Sequence, residues 1–127
     1  MTQPALVLDS GALIAFEKAK QLVAAVLKTA LLEKRSLIVP AVVVAETWRG
    51  GARSARVAQL LRGCRIDPLF DANARLAGEA LRHVRATTID AIVAATAARF
   101  GAPVVTTDPD DLGALAEYFG DLKIIAV

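Results

Sequence analysis

Cysteine, histidine and long apolar runs are all scarce in this chain, and each scarcity excludes a class of protein. The only cysteine, Cys64, allows neither an internal disulfide nor a thiolate zinc site built by one chain. The only histidine, His83, rules out catalysis by a histidine pair. No GxxxxGK[ST] loop is present, which argues against a nucleotide triphosphatase.

Charged residues interrupt the sequence too often for a membrane span. Hydrophobic residues make up 55% of the 127 residues, yet the longest uncharged stretch is 36–45, ten residues. A spanning helix needs about 18 or more apolar residues. The opening MTQPALVLD lacks a basic start and reaches Asp9 early. We therefore expect no signal peptide, no membrane association and a cytoplasmic location.

Acidic residues are missing between Glu46 and Asp67, where five arginines occur. Net charge is only +2, so this strip is a local feature. It is either a solvated helix face or a surface that meets phosphates. Arg49 and Arg53 are four residues apart and would share a face on one continuous helix, which Gly50–Gly51 could break. We expect these two arginines to contact RNA if the chain binds it.

Short apolar runs alternate with longer periodic segments along the whole chain. The runs ALVL, LIV, CRI, PVVT and KIIAV are typical of strands, and the segments between them are typical of helices. This alternation predicts an α/β fold with a mainly parallel sheet and a single domain over residues 1–127. Two helices have predicted apolar faces. The faces are Leu22, Val26, Leu27 and Leu31 in the first and Leu76, Ala80, Leu81 and Val84 in the second.

Four widely spaced acids are the candidate functional residues. Asp9 and Asp108 each follow a predicted strand, at the edge of an α/β sheet where ligands bind. Glu46 interrupts an apolar helical stretch, where a lone buried acid would be unfavourable. Asp90 opens a helix that Thr87 or Thr88 caps, and Ser10 is placed to cap the helix after Asp9. Each acid alone is more often structural than functional.

A convergence of these acids would need cations. Two unit charges ~4 Å apart repel by about 4 kcal/mol at an effective dielectric near 20. Such a cluster persists only if cations fill it or some carboxyls stay protonated. Carboxylate oxygens suit Mg²⁺ or Mn²⁺.

Four segments, in order, resemble the PIN-domain ribonucleases of the VapC toxin type. The segment LVLDSGALIA is similar to that family's first strand with its Asp, and VVAETWRG to its Glu-bearing helix. TTIDAIVAATA is similar to its Asp-bearing helix start, and VVTTDPDDL to its last acidic motif. The resemblance runs from about residue 6 to 127 and implies a three-layer α/β/α PIN-like domain.

The resemblance also implies an activity and partners. It implies a Mg²⁺-dependent endoribonuclease, with Mn²⁺ as a substitute, acting as the toxin of a type II toxin–antitoxin pair. It further implies a homodimer and a small antitoxin that occludes the acidic pocket. The implied catalytic and metal-binding residues are Asp9, Glu46, Asp90 and Asp108, with Ser10, Thr106 and Asp111 orienting or supporting them.

Some alternatives remain open at this stage. Either Asp110 or Asp111 could supply a further carboxylate, and both could equally be first-turn helix acids. A catalytically inactive PIN-like module that binds RNA or protein is the second hypothesis. The third hypothesis is an aspartyl phosphotransferase, and the sequence argues against it because Gly11 stands where that family needs a second Asp. Trp48 is expected in a core or dimer contact, or less readily in stacking on a base.

Overall fold

The computed structural model describes residues 4–127 and contains a five-stranded parallel sheet. The strand order across the sheet is β3-β2-β1-β4-β5, so β1 lies at the centre. All four strand pairs are parallel. The strands are β1 (Leu6–Leu8), β2 (Leu37–Pro40), β3 (Arg65–Asp67), β4 (Val104–Thr106) and β5 (Ile124–Ala126).

Helices connect the strands and cover the sheet. Residues 4–127 form seven α-helices and a short 3-10 helix, Ala52–Ser54. With the sheet, they form the three-layer α/β/α arrangement that the sequence predicts. The α-helices are α1 (Ser10–Glu17), α2 (Gln21–Leu32), α3 (Ala41–Thr47), α4 (Ala55–Leu61), α5 (Asp71–Leu81), α6 (Thr88–Phe100) and α7 (Pro109–Tyr118).

The register of the two central strands brings distant acidic segments to one edge. Leu8 of β1 pairs with Val105 of β4, so the residues that follow them in the chain also become neighbours. These following residues are Asp9 and Thr106. Asp9 donates its backbone N–H to the Val105 carbonyl at 3.1 Å, which continues the pairing one residue beyond β1.

Helix α6 is the most deeply placed helix and carries one of the candidate acids. Its residues Ala91–Ala97 are all buried, and the helix contacts β1, β2 and β4. Thr87 caps its start by accepting a hydrogen bond from the Asp90 backbone N–H, and Gly101 ends it in a left-handed conformation. Because its small residues allow close packing on the sheet, α6 holds Asp90 in a defined position.

The apolar faces of α2 and α5 differ from those that the sequence predicts. In α2 the buried residues are Val23, Leu27 and Ala30, whereas Leu22 and Leu31 are each 57% exposed. In α5 alanines are buried and Leu76 is 38% exposed. The predictions hold in part, since Leu27 and Ala80 are buried and Val26, Leu81 and Val84 pack against the core. The exposed leucines are the part that is wrong, because small buried residues allow closer approach to the neighbouring elements.

Three local predictions also need correction. Asp9, and not Ser10, is the cap of α1, since its carboxylate accepts the Ser10 backbone N–H. Glu46 is exposed, so it carries no burial penalty. Trp48 is 42% exposed and therefore lies outside the core of this chain.

The arginines do not share a continuous helix. Helix α3 ends at Thr47, and Gly50 and Gly51 adopt φ values of +78° and +64° before the 3-10 helix begins. Arg49 turns back onto α3 and donates from Nη1 to the carbonyls of Ala45 and Trp48. The expected shared face of Arg49 and Arg53 is therefore broken by the two glycines.

An ion pair between the buried Asp67 and the exposed Arg99 joins the edge of the sheet to α6. Asp67, at the end of β3, is 6% exposed and accepts a hydrogen bond from the Arg99 guanidinium. Arg99 also lies over the Phe100 ring, 4.7 Å from its centroid. This pair was not foreseen from the sequence, because 32 residues separate its members.

None of the helices in residues 4–127 has the length and hydropathy to cross a membrane.

Candidate acidic site

Asp9 lies at the centre of the candidate site, and hydrogen bonds hold both of its carboxylate oxygens. It follows β1 directly and is 6% exposed. Its Oδ1 accepts from the Ser10 backbone N–H at 2.7 Å and from the Ser10 hydroxyl at 3.4 Å. Its Oδ2 accepts from the Thr106 hydroxyl at 2.8 Å. Donors on both oxygens fix the plane of the carboxylate.

Thr106 connects Asp9 to the loop that carries the last candidate acids. This threonine ends β4 and is fully buried. Its hydroxyl donates to Asp9 and at the same time accepts from the Asp108 backbone N–H at 3.0 Å. Through these two hydrogen bonds, Thr106 links the β4–α7 loop to Asp9.

Among the candidate acids, Asp90 is the one whose pKa its surroundings shift most clearly. Burial raises the pKa of the Asp90 carboxyl above its usual 3.8, and the nearby charges of Asp9, Asp111 and Glu46 raise this pKa further. A hydrogen bond with the Thr87 side chain acts in the opposite direction and lowers the pKa. Four acids from four separate segments therefore share one electrostatic environment, as in many functional sites.

Asp111 joins this group although the sequence left its place open. It lies in the first turn of α7 and acts on the pKa of Asp90, whereas Asp110 does not. Glu46, an exposed residue of α3, also raises the pKa of the Asp90 carboxyl. Of the two acids in the first turn of α7, it is therefore Asp111 that faces the Asp90 side of the site.

Asp108 occupies a different part of the site. It precedes α7, is exposed, and accepts a hydrogen bond from the Thr107 hydroxyl at 3.4 Å. It is not among the carboxylates that raise the pKa of Asp90. Its side chain lines a cavity shared with Ser10 and Gly11. The Asp108 backbone is therefore linked to Asp9 through the Thr106 hydroxyl.

A divalent cation fits this site by donor chemistry. The donors are carboxylate oxygens, which hard cations prefer, and the cation's charge would relieve the repulsion that raises the pKa of Asp90. Within residues 4–127, however, no three acidic, histidine or cysteine side chains form a group that could hold a metal ion. The carboxylates therefore surround the site without forming a coordination shell.

Gly11 is a site residue that the sequence did not reveal. A methyl group at this position would lie 2.2 Å from the Thr107 hydroxyl oxygen and 3.2 Å from the Thr107 backbone nitrogen. Only glycine allows the first turn of α1 to approach the β4–α7 loop so closely. The DSG sequence after the first strand was the available signal, but the partner of the glycine lies far along the chain.

Cys64 and His83 make their contacts with residues other than these acids. Cys64 donates from its thiol to the Leu60 carbonyl at 3.3 Å, and burial raises its pKa to about 11. A thiol with such a pKa is a poor nucleophile at neutral pH. His83 is exposed and stacks on the Tyr118 ring, with 5.7 Å between ring centroids.

Comparison with known proteins identifies one family model. Residues 6–118 match the model described as the PIN domain. No curated protein matches the chain.

Solved structures with the same fold cover almost the whole chain. VapBC2 from Rickettsia felis, bound to a promoter DNA fragment, has a TM-score of 0.76 at 13% identity and covers 97% of this chain and 98% of its own. FitAcB from Neisseria gonorrhoeae has a TM-score of 0.65 at 20% identity, with 94% and 96% covered. VapBC-5 from Mycobacterium tuberculosis, a toxin–antitoxin system, has a TM-score of 0.64 at 26% identity, with 98% and 100% covered.

Proposed function

The chain belongs to the PIN domain family, and on that premise we propose that it is a metal-dependent endoribonuclease, the toxin of a type II toxin–antitoxin pair. The observation that carries the proposal is the environment of Asp90. Its carboxyl has a raised pKa because it is buried and because Asp9, Asp111 and Glu46 lie near it. Such repulsion is tolerated where a cation is part of the working site.

The residues that would hold Mg²⁺ or Mn²⁺ are Asp9, Glu46, Asp90 and Asp108, with Asp111 as a further carboxylate. When bound, the cation would neutralise phosphate charge and favour ionisation of the attacking water. The protein supplies the rest by positioning. Donors from Ser10 and Thr106 hold the Asp9 carboxylate in one orientation.

The decisive experiment is cleavage of total bacterial RNA by antitoxin-free protein with Mg²⁺ or Mn²⁺. We expect discrete fragments, and we expect EDTA and the Asp9→Asn variant to abolish them. Asp111→Asn should weaken cleavage, while Asp110→Asn serves as the matched control, because Asp110 is exposed and does not act on Asp90. Folded protein that binds RNA but never cleaves it would favour the inactive RNA-binding module instead.

An antitoxin is proposed as the protein partner. The likeness to complexes named VapBC supports a small partner protein, and the cluster of carboxylates around Asp90 would attract a basic side chain. We expect the partner to block cleavage and to compete with Mn²⁺ for the protein. A partner that binds tightly without inhibiting cleavage would contradict occlusion of the acidic site.

Arg49 and Arg53 are proposed to contact RNA from separate segments. Both are exposed and follow the helix that carries Glu46. We expect Arg53→Glu to weaken RNA binding about tenfold at low salt, since one phosphate contact is lost and one repulsion gained. Arg62→Glu, at the far end of α4, is the charge-matched control. Equal affinity of Arg53→Glu and the unaltered protein would exclude this contact.

A further inference from the structure

A cavity of about 560 Å³ opens beside the acidic site, on the side of Asp108. Helix α1, the α1–α2 turn, the start of α2 and the β4–α7 loop form its walls. Ser10 and Asp108 belong to its inner end, and both are bonded to the acidic site. The Ser10 hydroxyl donates to Asp9, and the Asp108 backbone donates to Thr106. The cavity is therefore continuous with the place where the proposed reaction would occur.

The outer part of the cavity has an apolar wall. Ile14 of α1 and Leu22 of α2 line it and are 39% and 57% exposed. Val127 also lines the cavity. An exposed apolar wall in a cavity that also has polar lining residues suits a flat, weakly polar group such as a nucleobase.

Two lysines, Lys18 and Lys20, also line the cavity. Lys18 and Lys20 flank Ala19, whose φ of +57° reverses the chain between α1 and α2. Their backbone N–H groups bond to Ile14 and Ala15, which fixes the turn on α1. Both lysines are exposed, and neither is in an ion pair with any residue from 4 to 127. Their positive charges are available to an anionic ligand.

We propose that this cavity holds one nucleotide of a single-stranded RNA next to the phosphodiester at the acidic site. The base packs on Ile14 and Leu22, and Lys18 and Lys20 contact the backbone phosphates. This inference rests on the proposed function. RNA then has two cationic contact regions on the protein, the α1–α2 turn and the arginines after α3. Charge complementarity favours a polyanion over a peptide as the occupant, because two lysines without ion pairs line the cavity against a single carboxylate, that of Asp108.

The test is fluorescence anisotropy with a fluorescein-labelled ten-nucleotide oligouridylate, in EDTA to prevent metal-dependent cleavage. The variant is Lys18→Gln/Lys20→Gln. The control is Lys28→Gln/Lys34→Gln, which removes the same charge from exposed positions outside the cavity. Two lost phosphate contacts should reduce the slope of log affinity against log salt by about 1.4 and the affinity at 0.1 M salt roughly 25-fold. The control should retain the slope of the unaltered protein.

A second pair of variants tests the apolar wall. Leu22→Asp should weaken binding further, whereas Leu32→Asp, on the same helix but outside the cavity, should not exceed the general effect of one added negative charge. If each variant and its control lose the same RNA affinity, the proposal is overturned, because the loss would then follow from the net charge of the protein and not from the cavity. Loss of antitoxin binding with unchanged RNA binding would assign the cavity to a peptide and overturn it too.

Failure of the endoribonuclease proposal can be distinguished from failure of the nucleotide cavity. If the unaltered protein binds no oligouridylate and cleaves no RNA, the endoribonuclease proposal fails and this inference fails with it. If the unaltered protein cleaves RNA but the lysine variant retains the full salt slope, only the nucleotide cavity is wrong.

Discussion

At the residue scale, the closest approach between the two halves of the candidate site depends on Gly11. A methyl group there would meet the Thr107 hydroxyl at 2.2 Å, so the β4–α7 loop would have to move away from α1. That loop carries Asp108, and its backbone is bonded through Thr106 to Asp9. We expect Gly11→Ala to lower RNA cleavage about 100-fold, as a displacement near 1 Å can do. Mn²⁺ affinity, measured by electron paramagnetic resonance, should fall with it.

A second substitution at the same contact should restore part of the function lost in Gly11→Ala. Thr107→Ala removes the hydroxyl and leaves the contacts with the Thr107 backbone nitrogen at 3.2 Å and Cβ at 3.3 Å, so the double variant Gly11→Ala/Thr107→Ala should recover part of the Mn²⁺ affinity and cleavage. Gly78→Ala is the control, because nothing lies within 4 Å of a methyl group at that helical position. A double variant no better than Gly11→Ala would show that the glycine acts by another route.

Asp90 gives a prediction on pH. Its folded-state pKa is raised, so the folded protein binds this proton more tightly than the unfolded chain does. The contribution of the protonated group to stability is complete below the ordinary pKa of 3.8 and is lost as pH rises through the folded pKa. Asp90→Asn should therefore stabilise the protein at pH 7, by less than about 1 kcal/mol because the site is partly open to water.

Urea denaturation at pH 7 and pH 4.5 measures this effect of Asp90→Asn. The gain should be smaller at the lower pH, and added Mg²⁺ should stabilise the unaltered protein more than the variant. Asp110→Asn is the control, since this exposed acid in the first turn of α7 should show no comparable gain. A stabilisation independent of pH would mean that the Asp90 charge is not the cause.

At the scale of elements, local signals defined most boundaries but not the buried faces. Pro40 precedes the first residue of α3 and Gly101 ends α6 in a left-handed conformation, and both effects are local properties of the backbone. The face of α2 was predicted only in part, since Leu27 is buried as expected but Leu22 and Leu31 are exposed. The pair of Asp67 and Arg99 depends on how α6 lies across the sheet, which periodicity does not encode.

The cap of α6 connects the stability of an element to the site. The Thr87 hydroxyl accepts the Asp90 backbone N–H at 3.1 Å. Thr87→Ala should lower the free energy of unfolding by about 1 kcal/mol, as loss of such a cap does. It should also raise the pKa of Asp90, because the Thr87 side chain lowers that pKa in the unaltered protein. Urea denaturation measures the first effect, and carbon-13 carboxyl chemical shifts against pH measure the second.

Thr88→Ala is the neighbouring control for this cap. Thr88 is the first residue of α6, is exposed, and makes no cap bond from its side chain. Because the sequence allowed either threonine as the cap, equal effects of the two substitutions would contradict the assignment to Thr87.

At the scale of the whole molecule, the motifs predicted which segments meet but not how their side chains are arranged. Parallel pairing of β1 and β4 brings Asp9 and Thr106 together. Strand–helix alternation predicted the parallel sheet, and the family resemblance implied that Thr106 supports the acids. The neighbour of Asp90 within the last motif is Asp111, and not Asp108. That choice depends on where α7 begins and how it is rotated, which is determined by long-range packing. Binding roles of the acids remain predictions.

The expected homodimer can be tested on a surface that a monomer rarely exposes. Large apolar side chains are exposed between β3, an edge strand, and the middle of α5. They are Ile66, Leu69, Phe70 and Leu76, exposed by 41%, 39%, 63% and 38%. Contiguous exposed apolar surface of this kind commonly marks a protein interface. Phe70→Glu should therefore reduce the mass in light scattering from that of two chains to that of one.

Leu32→Glu is the matched control for this dimer surface. Leu32 is 75% exposed, more than Phe70, but it ends α2 and lies away from the β3–α5 surface in the chain. Loss of the dimer with Phe70→Glu and its retention with Leu32→Glu would assign the interface, because both variants add one negative charge and remove one large apolar side chain. Dimers that persist in Phe70→Glu and dissociate in Leu32→Glu would move the interface to α2.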